Sequence, residues 1–436
     1  MPASRELTSE PVAVTHPPAS RASVAAAWLA TIGLLAVPLA CAPDLVDRFR
    51  IIKESVLRAE AIVGLFLVIV AVAFGALPRV RELVRERALF AIAIAGLVWG
   101  AITTLTSTHR LHSIESLASI VAAIVLFLVV WFAATRVSLV AIDLLVLAAA
   151  INATLMTLQE YSIYQPFRVH PQMAAHLTAT GLIGNPNIGG SYLALVAVIL
   201  ITAATAIRGL RRAWYIIGAL FAIGGVLVSD TETAVVALAA GLGLLMIGRS
   251  WKRAIALAVV AATIFGIGVA MRIPVIVDLL ALPQRISQHG LEVALSGRVA
   301  PAIIALRETR AHPLTGIGPG TYGYHFMPER TRLTVESGYP IGLGLNFGEV
   351  HNDHLQILAE GGVPAYLLFL GAVVAVLAAA RRGDGTSDRA RFVRMLAIPL
   401  AGAFLVLCLA QFPLQVAITR HLILTMGALI AGWSRT

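Results

Sequence analysis

About twelve runs of roughly 20 mainly apolar residues recur along this chain, each long enough to cross a bilayer as a helix. They centre near Leu35, Leu67, Ala93, Ile124, Val146, Val196, Ala219, Gly241, Thr263, Phe369, Ala403 and Met426. A segment in hydrocarbon must satisfy its own backbone N–H and C=O groups, so only helices or a closed barrel can span. The alternating short strands of a barrel are absent from the pattern. With 58% hydrophobic and 13% charged residues over 436 positions, the composition is also far from that of a soluble domain. The predicted fold class is all-α: a polytopic membrane protein of about 12 transmembrane helices.

Arginine placement sets the expected orientation, because short loops rich in Lys and Arg stay cytoplasmic. With the N-terminus inside, PRVRELVRER (78–87), RGLRR (208–212), RSWKR (249–253) and RRGDGTSDRARFVR (381–394) all fall in cytoplasmic loops. The layout is then a disordered cytoplasmic tail over 1–22 and transmembrane helices 1–9 over 23–271. One large periplasmic loop with amphipathic helices covers 272–352, between helices 9 and 10, and helices 10–12 occupy 353–436. The net charge of +10 reflects this topology and attraction to anionic membrane lipid; it implies no nucleic acid. Cys41 and Cys408 lie in or beside apolar runs and suggest no disulfide framework.

A loop of that length in a compact protein calls for a function. It ends in HNDHLQILAEGG (351–362), where two histidines and a glutamate meet the entrance of an apolar run. His351, His354, Leu355, Leu358 and Gly362 recur at helical spacing, so one face carries both histidines at its outer end. A neutral imidazole there suits a general base; the alternative is a pair of interfacial polar residues ending a helix. As metal ligands the pair lacks a third partner, and no metal or cofactor is expected.

Within the loop, helical spacing runs from Val299 to Leu306, with Ser296 as the expected N-cap and Arg298 at the helix start. Free amides and a guanidinium together make an anion site. Arg307, Arg310, Arg330 and Arg332 are either a solvated surface or further partners for phosphate oxygens. Arg420 lies inside the last apolar run and needs a partner, for which topology offers Glu232 or Asp230 in the turn SDTETA. GNPN (184–187) is a turn signal placed directly before a helix.

In order, GNPN, SGR (296–298), HPLTGIGPGTY (312–322) and HNDHLQILAEGGVPAYLLF, in this topology, resemble the O-antigen ligase and O-antigen polymerase superfamily of bacterial membrane glycosyltransferases. The resemblance implies a multi-pass inner-membrane enzyme with its active site facing the periplasm. It implies transfer of a glycan from an undecaprenyl diphosphate-linked donor to lipid A-core oligosaccharide or another glycan acceptor, inverting and without metal. By the same resemblance His351 matches the base and Arg298 a diphosphate-binding arginine. The candidates for substrate contact are completed by Arg420, Asn352, His354, Glu360, Asn185, Asn187 and Arg330. A polymerase joining carrier-linked repeat units is the nearest alternative, and a polysaccharide or lipid transporter a more distant one. One position departs from the pattern: many members carry an arginine in the turn after the seventh helix, where this chain reads Thr231-Glu232-Thr233-Ala234. Either another cation, such as Arg420, supplies that charge, or the subfamily and its substrate differ.

Overall fold

The structure is a computed structural model that describes residues 21–43, 45, 47–76, 80–167, 179–247, 251–338, 345–383 and 387–435. Among them there is no strand. The first half consists of α1 (Arg21–Leu39), α2 (Arg50–Ala73), α3 (Val80–Arg85), α4 (Arg87–Thr106), α5 (Arg110–Ala133), α6 (Val140–Glu160), α7 (Pro186–Ala206) and α8 (Leu210–Val228). The second half consists of α9 (Glu232–Ile247), α10 (Trp251–Ala270), α11 (Pro274–Ala294), α12 (Val299–Ala311), α13 (Tyr322–Ser337), α14 (Asp353–Arg381), α15 (Asp388–Leu407) and α16 (Ala417–Trp433). All twelve apolar runs centre in a helix, and the protein is an all-α, multi-pass membrane protein. Nine of the described helices are long and apolar enough to cross a membrane, with α9 and α16 as shorter apolar helices. Apart from Arg21 and Ala22, which begin α1, the tail expected over 1–22 lies outside the described residues.

Helix α7 is the axis of the bundle: Tyr192 through Leu200 are all buried, and it packs on α8, α9 and α15. Small residues permit that approach, as transmembrane packing relies on close backbone contact rather than on expulsion of water. A Cβ on Gly225 would come within 2.4 Å of Leu193, and one on Gly241 within 2.7 Å of Val198. Asn185 starts α7 by accepting hydrogen bonds from the Asn187 and Ile188 amides at 2.9 and 3.3 Å, with Pro186 in the first helical position.

Helices α11 and α12 meet at a bend of 53°. The expectation that Ser296 caps α12 is not met. Ser296 and Gly297 take left-handed backbone (φ 54° and 79°), and their amides close the end of α11 on the Val293 and Glu292 carbonyls at 3.0 and 2.8 Å. These two residues therefore finish one helix, and Arg298 itself occupies the N-cap position of the next.

Candidate functional site

The site is built on a break in α14. Gly362 has φ 70° and ψ −176°, and Pro364 offers no N–H, so the carbonyls of residues 359–361 lose their usual helical donors. Other groups take their place. The Ile317 amide donates to the Ala359 carbonyl at 2.9 Å, the Gly318 amide to that of Glu360 at 3.0 Å, and the Trp99 indole to that of Gly361 at 2.8 Å. In the reverse sense the Val363 amide donates to the Pro313 carbonyl at 2.9 Å. The segment HPLTGIGPG thus lies along the break as an added hydrogen-bonding edge.

Glu360 extends this junction. Its buried carboxyl group accepts from the Gly320 amide at 2.9 Å and the Tyr322 amide at 3.2 Å, tying the break to the start of α13. It also accepts from Gln356 Nε2 at 2.9 Å, and Gln356 Oε1 accepts from the Val350 amide at 2.8 Å. One continuous chain of bonds therefore runs from the break in α14 to the residue before His351.

His351 sits on left-handed backbone (φ 57°), half-buried, with its ring edge-on to Phe347 and Phe412 at 5.3 and 4.6 Å. Its Nδ1 lies 3.1 Å from the Glu349 carbonyl, an acceptor, so Nδ1 carries the proton and Nε2 keeps its lone pair. Burial lowers the pKa of this imidazole below its ordinary value; the Glu349 carbonyl opposes that shift, and the Arg298 charge adds to it. The neutral, proton-accepting form therefore prevails at neutral pH. Just beyond, Asn352 caps α14 by accepting from the Leu355 amide at 3.0 Å and donating to the Leu409 carbonyl at 2.8 Å. Asp353, fully buried, accepts from the Leu414 amide at 2.8 Å and so fixes the turn that presents Phe412.

Arg298 is partly buried and close enough for its charge to act on His351, while the charge of Glu232 acts on it in turn. Among the described residues its guanidinium has neither hydrogen-bond nor ion-pair partner. Glu232 is instead paired with Arg285 of α11, whose guanidinium also donates to the Asp278 carbonyl at 2.9 Å. The Thr231 hydroxyl donates to Asn187 Oδ1 at 3.2 Å, and Gln411 donates to the Thr233 hydroxyl at 3.0 Å. GNPN, the turn before α9 and the Gln411–Phe412 turn are thereby joined on the Glu232 side.

Other sequence candidates lie apart from this group. Arg420 pairs with Glu54 of α2 and donates to the Leu414 carbonyl at 3.1 Å, so neither Glu232 nor Asp230 is the partner that topology suggested. Helix α2 packs on α16 and brings its own carboxylate to the arginine, whereas Glu232 has Arg285. Arg330 bonds the Leu345 carbonyl and lies 6.0 Å over the Phe326 ring, holding α13 to the segment that leads to Phe347. Both nitrogens of His354 are engaged, Nε2 with the Leu405 carbonyl and Nδ1 with the Tyr366 hydroxyl, each at 3.2 Å. Its ring joins α14 to α15.

Three residues that sequence reasoning passed over matter here. Gln356 follows Asn352 by four and precedes Glu360 by four, a helical spacing that marks it as part of the same face. Glu54 is an acidic residue beside an apolar run, the type of group an intramembrane arginine requires. Arg285 carries no motif, and only the folding of α11 onto α9 brings it to Glu232.

These features define a multi-pass helical membrane protein in which His351, on the turn before a broken helix, lies close enough to Arg298, at the start of α12, for the arginine's charge to act on it. Residues 217–370 match the family model for O-antigen ligase, a stretch that contains Glu232, Arg285, Arg298 and His351, and this match supports the O-antigen ligase and polymerase superfamily. No curated protein matches it. That family implies a glycosyltransferase-like joining activity on lipid-linked glycans.

Proposed function

We propose that this protein is an O-antigen ligase, transferring a glycan from undecaprenyl diphosphate to lipid A-core oligosaccharide at the periplasmic face of the inner membrane. The observation that carries the reading is the unpaired Arg298 guanidinium beside a histidine whose Nε2 is free to accept a proton. His351 Nε2 takes the proton of an acceptor hydroxyl as its oxygen attacks the anomeric carbon. The bond from that carbon to the diphosphate oxygen breaks, and the carrier diphosphate leaves with the electron pair. A single displacement inverts the anomeric centre. Arg298 meets the departing negative charge, and guanidinium is well matched to phosphate oxygens. Arg285 is already paired with Glu232, so the turn itself adds no net positive charge and Arg298 carries this role.

The direct test is purified protein in proteoliposomes given a carrier-linked glycan, with lipid A-core and a carrier-linked repeat as competing acceptors. Product on lipid A-core is expected; product only on the carrier-linked repeat identifies a polymerase, and uptake of labelled glycan without covalent transfer identifies a transporter. Addition of a chelator is expected to leave the rate unchanged, since the leaving group is already activated; inhibition reversed by zinc or magnesium overturns the metal-free mechanism.

Arg298→Gln removes a charged donor worth ~1.5–3 kcal/mol, so the apparent donor KM is expected to rise about 10- to 100-fold. Loss of its charge should also move the acid limb of the pH profile upward, because Arg298 helps to keep His351 neutral. An unchanged donor KM and an unmoved limb count against the diphosphate role.

A further inference from the structure

A cavity of about 1060 Å³ lies on another side of the His351 loop, and neither His351 nor Arg298 lines it. It is at the upper end of the ~300–1,000 Å³ usual for small-molecule pockets. Its two ends differ in character. The floor is hydrocarbon, formed by Phe127, Phe369, Ala372, Val376, Phe404 and Ile430 from α5, α14, α15 and α16, helices that are themselves apolar enough to lie in the membrane. The rim is polar, formed by Arg50, Glu54, Arg58, Glu115, Glu349 and Arg420.

The rim distinguishes among membrane ligands. Its three guanidiniums are already paired: Arg50 with Glu349 at 2.7 Å, Arg58 with Glu54 at 3.0 Å, and Arg420 with Glu54. With Glu115 the rim carries three cations and three carboxylates, so it offers no surplus positive charge to a diphosphate. Sugar hydroxyls both donate and accept, and they fit alternating carboxylates and guanidiniums without displacing an ion pair. The indole of Trp99 and the rings of His112 and Tyr324 also line the cavity, flat surfaces of the kind that pack on sugar rings. The rim adjoins the His351 turn, because Glu349, whose carboxylate accepts from Arg50, also accepts from His351 Nδ1 through its carbonyl.

We infer that this cavity is the acceptor site: it takes a membrane glycolipid, with hydrocarbon in the floor and neutral sugar at the rim, beside the turn that carries His351. The inference rests on the transferase reading above. The diphosphate at Arg298 and the acceptor in the cavity then lie on different sides of the His351 turn.

The test uses the full chain in phosphatidylcholine nanodiscs with three photoreactive probes of equal chain length, each bearing a diazirine in mid-chain. They are an alkyl maltoside, an alkyl diphosphate and a phosphatidylcholine. The maltoside is expected to label α4, α5 and α14 around Ile92, Phe127 and Val376. Gly427→Phe and Gly96→Leu fill the cavity from positions where an added Cβ meets nothing closer than 3.6 and 3.7 Å. Each should cut that labelling about tenfold, the order expected for overfilling a packed site. Retained thermal unfolding shows that a variant is folded, and either variant suffices if the other fails to fold. Stronger labelling by the alkyl diphosphate assigns the cavity to the donor and overturns the inference, as does phosphatidylcholine labelling equal to that of the maltoside. Labelling needs no turnover, so a protein that binds the maltoside but transfers nothing refutes the transferase reading while leaving the binding site in place.

Discussion

Exchanging His351 for asparagine is expected to lower kcat by about 10²- to 10⁴-fold, the range that a positioned general base contributes. Asparagine is the appropriate replacement because it tolerates the left-handed backbone that His351 adopts and retains a polar side chain of similar reach. Donor binding, assigned to Arg298, should change little. The pH dependence gives an independent check. A base works in its unprotonated form, so the wild-type rate should rise with pH and level off above the pKa of His351. Burial and the Arg298 charge hold that pKa below the ordinary imidazole value, so the midpoint should lie below about 6.5 and the plateau should be complete at neutrality. In His351→Asn the residual rate should lose this limb. Wild-type turnover by the variant, or a limb centred above that value, removes His351 from the role of base.

How much of this was legible in the sequence differs by residue. The spanning helices were, since each apolar run had to hide its own backbone, and each run does centre in a helix. The His351 region stood out because polar residues at a membrane entrance break an otherwise apolar pattern. The pairing of Arg420 was not legible: topology offered Glu232 and Asp230, but a charge takes the partner that packing brings, and α2 packs on α16. Ser296 misled for a different reason. A serine before a helical run signals an N-cap, yet the same residue followed by glycine also suits a helix end, and here the end of α11 claimed it. Glu360 stood out as a candidate for substrate contact, but that its carboxyl group also takes the Gly320 and Tyr322 amides and Gln356 was not legible. Local spacing carries information about which residues share a face; it carries little about which distant amides will need an acceptor.

That same junction supplies the second large effect. Gly362→Ala is expected to reduce kcat by about 10²-fold, the loss that follows when a reacting group is displaced by roughly 1 Å, while the bundle stays folded. Alanine at φ 70° costs ~1–2 kcal/mol from left-handed backbone alone. More seriously, its Cβ would stand 1.9 Å from the Leu314 carbonyl oxygen and 2.8 Å from that of Pro313, both backbone atoms that cannot rotate away. The HPLTGIGPG segment must therefore lift off the break. The carbonyls of residues 359–361 then lose donors, Glu360 loses the Gly320 and Tyr322 amides, and Gln356 is free to release the Val350 amide that positions His351. Hydrogen exchange separates this route from general destabilisation: the amides of Ile317, Gly318, Gly320 and Tyr322 should exchange faster, while those of α7 keep wild-type protection. Gly371→Ala is the control within the same helix, because its Cβ meets Ile92 at an ordinary 3.5 Å and should leave both activity and exchange near wild type. If Gly362→Ala retained full activity with the loop amides still protected, the bonded path from the helix break to His351 would not be what holds the base in place.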